Sequence, residues 1–184
     1  MTIIMKKITV FAIVAIILAT IAAADSLYNP LWKVTINSDL SGYGDDFSIG
    51  VGSPAIDAYD INDIVKAPQA PGRSIIIQSV VDGRALAGDY RAEGSILRLK
   101  KWEISLIAID PNFVGFSGIE NLTWNLERVP RNTKLTLIDY GADSTRSNII
   151  KTVNMKKSSL YSFNVTNKFG VYRYIDIKVT KSLI

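Results

Sequence analysis

The chain has 184 residues, with 21 lysines and arginines against 17 aspartates and glutamates, and it contains neither histidine nor cysteine. Without an imidazole no Ser-His-Asp triad can form, and without thiols there is no disulfide, cysteine nucleophile or iron–sulfur ligand. Zinc is rarely held by oxygen alone, so a metal here would be calcium or magnesium on carboxylates and carbonyls.

The first 24 residues differ from the rest. Lys6 and Lys7 form a positive start, residues 8–24 (ITVFAIVAIILATIAAA) are apolar apart from two threonines, and the run ends in Ala22-Ala23-Ala24. This anatomy predicts a secretory signal helix cleaved after Ala24. The alternative is an uncleaved membrane anchor, for which the run sits at the short limit; membrane contact is expected only through this segment. The expected location is therefore secreted, extracellular or cell-envelope. Removing Lys6 and Lys7 leaves 19 positive against 17 negative charges, too even a balance to argue for nucleic acid. Residues 25–184 are enough for one domain, since a chain of about 150 residues buries roughly 68–70% of its unfolded surface without staples.

Beyond the signal, the period is two. Residues 31–37 set Trp32, Val34 and Ile36 against Lys33, Thr35 and Asn37. Runs rich in Ile, Val and Leu follow at 47–51, 74–81 and 97–109. Residues 121–127 set Leu122, Trp124 and Leu126 against Asn121, Thr123, Asn125 and Glu127, and further runs lie at 134–139 and 148–155. Residues 161–166 alternate Tyr161, Phe163 and Val165 with Ser162, Asn164 and Thr166, and the last segment alternates Ile175, Ile177 and Val179 with Tyr174, Asp176, Lys178 and Thr180. Such alternation marks strands with one face in a core and one in water. Turn residues punctuate them at Asp82-Gly83, Val129 to Asn132, Gly141 to Asp143 and Asn167 to Gly170. Eight or nine strands without 3.6-residue periodicity predict an all-β fold, an antiparallel sandwich. Trp32, Trp102 and Trp124 share the phase of neighbouring aliphatic residues and belong in its core.

One stretch stands apart. The loop 53–72 (SPAIDAYDINDIVKAPQAPG) holds Pro54, Pro68 and Pro71, with Asp57, Asp60 and Asp63 at three-residue steps. A long loop in a compact domain is usually functional or pinned. With Asp45 and Asp46, these aspartates are candidate calcium ligands, although the spacing is not that of an EF-hand; the alternative is that they cap turns. Asn121-Leu122-Thr123 and Asn164-Val165-Thr166 are glycosylation sequons on the polar phase of their strands. Tyr28, Tyr43, Tyr59 and Tyr90 fall on expected loops, where rings could stack on sugars. The surviving catalytic option is a carboxylate pair of the glycosidase kind, drawn from Asp45, Asp46, Asp139 or Asp143. Nothing brings two of these to one cleft, and no catalytic residue is assigned.

Short motifs recur in a fixed order. They are Trp32-Lys33-Val34, Phe47-Ser48-Ile49-Gly50, Asp57-Ala58-Tyr59-Asp60, Ala67-Pro68-Gln69-Ala70-Pro71, Trp102-Glu103-Ile104, Leu122-Thr123-Trp124 and Leu135-Thr136-Leu137. Over about residues 31–180 this series resembles immunoglobulin-like β-sandwich modules of secreted and cell-surface prokaryotic proteins. The pattern departs where Ser48 and Ile49 separate the phenylalanine from its glycine, and where Ala58 stands in the place of a glycine in the Asp-Gly-Tyr-Asp loop. The resemblance implies an immunoglobulin-like sandwich in an extracellular or envelope setting, and no activity. The expectation is a secreted or cell-surface structural or adhesive module, non-catalytic and without a cofactor unless calcium binds. Its partners would be other surface proteins, a second copy of itself or cell-surface glycans. A carbohydrate-binding module and a secreted hydrolase with an Asp/Glu pair are the alternatives. The terminal run Tyr172 to Thr180 is free to pair within the domain or between subunits.

Overall fold

The computed structural model describes residues 29–69, 71–93 and 100–181. The expected signal segment with its expected cleavage site after Ala24, and Tyr28, lie outside the described residues. Eleven strands follow one another: β1 (Trp32–Leu40), β2 (Tyr43–Val51), β3 (Ile64–Val65), β4 (Ser74–Val81), β5 (Arg84–Arg91), β6 (Lys100–Ile109), β7 (Phe116–Glu127), β8 (Thr133–Asp139), β9 (Lys151–Asn154), β10 (Leu160–Lys168) and β11 (Gly170–Lys181). No helix occurs among the described residues.

Two hairpins have two-residue turns with positive φ at both positions: Ser41-Gly42 (56° and 83°) between β1 and β2, and Asp82-Gly83 (49° and 76°) between β4 and β5. Turns of that hand match the right-handed twist of the flanking strands. The strands form one hydrogen-bonded sheet in the order β10-β7-β1-β2-β5-β4-β6-β11-β8-β9, with β3 on β5. It is antiparallel except that β2 and β5 run parallel, from Ser48 opposite Gly88 to Val51 opposite Arg91. The β4–β5 ladder holds only the three pairs next to the turn. Beyond it β5 follows β2 and β4 follows β6. The sheet thus folds over on itself at this hairpin and approaches a barrel.

The inward residues of both halves fill one core. Val34, Ile36 and Leu40 of β1, Phe47 and Ile49 of β2 and Leu122 of β7 meet Ile75 and Ile77 of β4, Ile104 and Leu106 of β6, Leu135 and Leu137 of β8 and Ile175 and Ile177 of β11. Trp32 and Trp102 meet edge to face across the core, with ring centroids 5.9 Å apart, an arrangement the ring quadrupoles favour. All three tryptophans are buried, as their phase predicts.

Eleven strands replace the expected eight or nine. The two additional strands are β3, two residues inside the 53–72 loop, and β5. The β5 sequence RALAGDYR carries two alanines and a glycine, residues that seldom signal a strand. Gly88 has little room for a side chain, since a Cβ there would sit 3.1 Å from both Ile64 Cδ1 and Tyr90 Cε2, and Gly50 on the paired β2 has less, 2.8 Å from Tyr90 Cδ1 and 2.7 Å from the Trp32 carbonyl oxygen. A wholly antiparallel arrangement is likewise corrected by the β2–β5 pair. The terminal run forms β11, hydrogen-bonded within the chain to β6 on one side and β8 on the other, so it has no free edge to exchange.

Candidate interaction surface

The aspartates of the 53–72 loop organise backbone. Asp60 accepts from the amides of Ile56 and Asn62, both at 2.6 Å. Asp63 accepts from Asp60 N at 3.0 Å and from Tyr90 N at 2.8 Å, tying the loop to β5. Asp57 accepts from Ala92 N at 3.2 Å and the Lys100 ammonium at 2.5 Å. Burial pushes the Asp63 carboxyl above its ordinary range, against the two amide bonds that favour its charge. Asp60 and Asp63 thus cap turns within the loop, whereas Asp57 ties the loop to Ala92 and Lys100. Among the described residues no group of three or more acidic side chains is placed to hold a metal ion.

The carboxylates considered for acid–base chemistry are also separated. Asp45 binds the Lys66 ammonium and the Ile77 amide, while Asp46 is exposed. Asp143 accepts from the amides of Thr145, Ser147 and Asn148 and from the hydroxyls of Thr145 and Ser147. These bonds, led by the Thr145 hydroxyl, hold its carboxyl well below the usual range. The turn so capped lays Arg146 across the outside of β11, where its Nη1 reaches Asp176 at 2.6 Å. Asp139 is fully buried, and its oxygens take both the Nε (2.9 Å) and an Nη2 of Arg173, the Tyr161 hydroxyl and the Gly141 amide. Desolvation, followed by the bond to Asp139, pushes the Tyr161 phenol up to about 12.

A second buried carboxylate, Glu120 on β7, accepts from Ser38 Oγ of β1 at 2.5 Å and from the Tyr172 hydroxyl of β11 at 3.0 Å. Desolvation raises its carboxyl, opposed by these two bonds, and burial above all raises the Tyr172 phenol. Both buried carboxylates therefore bridge the two halves of the folded sheet. Asp139 stands out in the sequence as a candidate catalytic carboxylate, but not as a bridge between strands; Glu120 escapes notice there, and its place on the apolar phase of β7 is the one signal a sequence reading could have used.

The expected stacking tyrosines are engaged elsewhere. Tyr90 sits in β5, 5% exposed. Tyr43 packs edge-on against Phe116 at 5.2 Å, and Tyr59 lies beneath the Arg84 guanidinium, 4.2 Å from its ring centre.

Among the described residues nothing pairs with the outer edge of β10, and the polar outer face of β1, β7 and β10 is uncovered. Across this face Asp39, Asn121 and Ser162 stand in one row and Asn37, Thr123 and Leu160 in the next. Both sequons lie here. Asn121 is half-buried in the interior strand, its Oδ1 accepting from Ser162 Oγ at 2.7 Å, whereas Asn164 is exposed on β10. The two ends of the sheet differ. β9 has four residues beginning with Lys151, while β10 has nine and carries no proline and no charge before Lys168. Natural sheets blunt their edges with short strands, lysines, prolines and bulges; β10 has a bulge, but only after Val165.

Beside the end of β10, Phe113 (76% exposed) and Phe169 (51% exposed) meet with ring centroids 5.1 Å apart. Asp110 fixes the first of these turns, accepting from Asn112 N at 2.9 Å, and Phe113 adopts φ +56°. Comparison of the chain with protein families, curated proteins and solved structures gives no match.

Proposed function

We propose that this chain is a secreted or cell-surface β module of immunoglobulin-like character that works by contact, as a non-catalytic structural or adhesive element of an extracellular assembly or envelope layer. The observation that carries the reading is the asymmetry of the sheet's two ends. One end is short, while β10 presents a long strand without charge before Lys168, beside an exposed pair of phenylalanine rings. Exposed strand edges are used for strand addition, and clustered exposed apolar groups mark contact sites. The lysine-led apolar segment ending at Ala24 supports export, and the ordered series of short motifs supports the immunoglobulin-like part of the reading.

The test is fractionation of producing cells followed by intact-mass spectrometry and native gel analysis. The expected result is a chain beginning at Asp25, found in the envelope or outside the cell and part of a larger species. A cytosolic, monomeric chain retaining residues 1–24 would overturn the proposal.

A further inference from the structure

We infer that the partner at the β10 edge is a second copy of this chain, added antiparallel so that the two sheets run on as one. The inference deepens the contact reading above and rests on it for the biological setting, not for the pairing itself. Trp124 N donates to Ser159 O at 3.2 Å, which makes 124 and 159 a hydrogen-bonded pair of the β7–β10 ladder. Such pairs alternate along an antiparallel ladder. In the observed register Tyr161 opposite Leu122 and Phe163 opposite Glu120 therefore bond inward to β7. The N–H and C=O of Leu160, Ser162 and Asn164 point the other way, and all three residues are exposed; those of Leu160 are met by the Ser158 hydroxyl, so Ser162 and Asn164 form the open part of the edge.

The side chains then restrict how a partner strand can add. For the core-facing side of one copy to continue that of the other, Tyr161, Phe163 and Val165 must lie opposite residues of the same set. A two-fold axis at Phe163 does this. It sets Phe163 against its own copy, Tyr161 against Val165 and Ser162 against Asn164, with the outward amides of the last pair exchanging hydrogen bonds. Aromatic–aromatic and aromatic–β-branched cross-strand pairs are favourable ones. Residues 160–167 carry no charge, so no like charges face each other across the axis. A closed two-fold contact is also self-limiting, since it uses the long edge of each copy and leaves the short β9 edge alone.

The test uses protein isolated from producing cells in the form it takes there, by sedimentation equilibrium and amide hydrogen exchange. The wild type is expected to form a concentration-dependent dimer, with the Ser162 and Asn164 amides gaining protection as concentration rises. Ser162→Pro removes a donor at the open edge but none from the β7 ladder, a position where a sheet tolerates proline; it should weaken dimerisation by at least about tenfold. Ser162→Ala should leave dimerisation unchanged. Retained circular dichroism in the proline variant shows that the fold is intact, and if that variant fails to fold, the wild-type exchange data decide alone. A wild type that stays monomeric overturns the inference, as does a dimer indifferent to Ser162→Pro. So do Ser162 and Asn164 amides protected equally at every concentration, which would mean that the chain's own residues cover the edge. An unaffected dimer interface in a cytosolic chain would sink the proposed setting and leave the pairing standing.

Discussion

Replacing Arg173 by methionine tests the claim that a buried ion pair fastens β10 to the opposite half of the sheet. Asp139 has no exposed surface, and Arg173 is its counter-charge, lying also over the Phe163 ring with its guanidinium carbon 3.7 Å from the centroid. Methionine keeps an alkyl stem over Phe163 but leaves a carboxylate in the core with only the Tyr161 hydroxyl and the Gly141 amide. Removing one partner of such a pair costs about 3–5 kcal/mol, because the remaining charge is buried without compensation. For a domain of this size each kcal/mol lowers Tm by about 2–4 °C, so Arg173→Met should melt roughly 6–20 °C lower. The second arm isolates the cause. If the orphaned charge is responsible, adding Asp139→Asn removes it while keeping an acceptor for Gly141, and should restore about 2 kcal/mol or more. Urea unfolding of the wild type, both single variants and the double variant closes the cycle. A loss below about 1 kcal/mol for Arg173→Met, or a double variant no better than the sum of the singles, would refute the reasoning.

Three further perturbations probe separate parts of the fold. Glu120→Gln should be more stable relative to the wild type at pH 7 than at pH 4, because ionising Glu120 in the folded state works against its desolvation. Since the folded carboxyl is raised above its ordinary 4.5, its destabilising effect is absent below that value and grows as pH rises through the folded one. Urea unfolding that shows a greater loss for this variant at pH 7 than at pH 4 contradicts the account. Trp124→Phe removes the indole N–H that reaches the Met155 carbonyl at 2.9 Å. Leaving that buried acceptor unmet should cost about 1–3 kcal/mol, with faster amide exchange between β9 and β10 as its local signature. Gly50→Ala should cost about 1–3 kcal/mol or more by overpacking under Tyr90, and unchanged thermal stability would show that the β2–β5 contact is looser than its geometry implies.

The sequence predicted the strands that alternate strictly and missed what alternation does not encode. Trp32, Leu122, Trp124, Tyr161, Phe163, Ile175 and Ile177 all point where period two puts them, because each lies on a strand with one wet face. β5 was invisible because Ala85, Ala87 and Gly88 are poor strand formers, and the crowding of Gly88 by Ile64 and Tyr90 is a tertiary constraint with no local signal. The parallel β2–β5 pair was equally unreadable, since periodicity is the same for either direction of pairing. Asp57, Asp60 and Asp63 look alike in sequence; which amides they accept from, Ile56, Asn62, Tyr90 or Ala92, depends on tertiary positions that their spacing does not encode. The openness of β10 could not be read at all, because whether a strand is terminal in a sheet depends on where every other strand has gone.

The buried carboxylates connect these features. A chain without cysteine lacks the disulfides that commonly tie one layer of a β domain to another. Here the ties between halves are polar: Asp139 and Arg173 reach Tyr161 of β10, and Glu120 joins Ser38 to Tyr172. A carboxylate bridge of this kind grips side chains and leaves backbone amides free, whereas a strand secured by ladders on both sides has no amides to offer. β10 is therefore held by one ladder and by the inward groups of Tyr161 and Phe163, with its outer edge still available. Fixing an edge before its partner arrives lowers the ordering cost of association. On that argument Arg173→Met should weaken self-association as well as stability, because Arg173 packs over Phe163 and reaches the Tyr161 hydroxyl on the inward side of the edge strand. A dimer of unchanged affinity in the Arg173→Met variant, compared well below its melting temperature, would show that the edge is ordered by the β7 ladder alone.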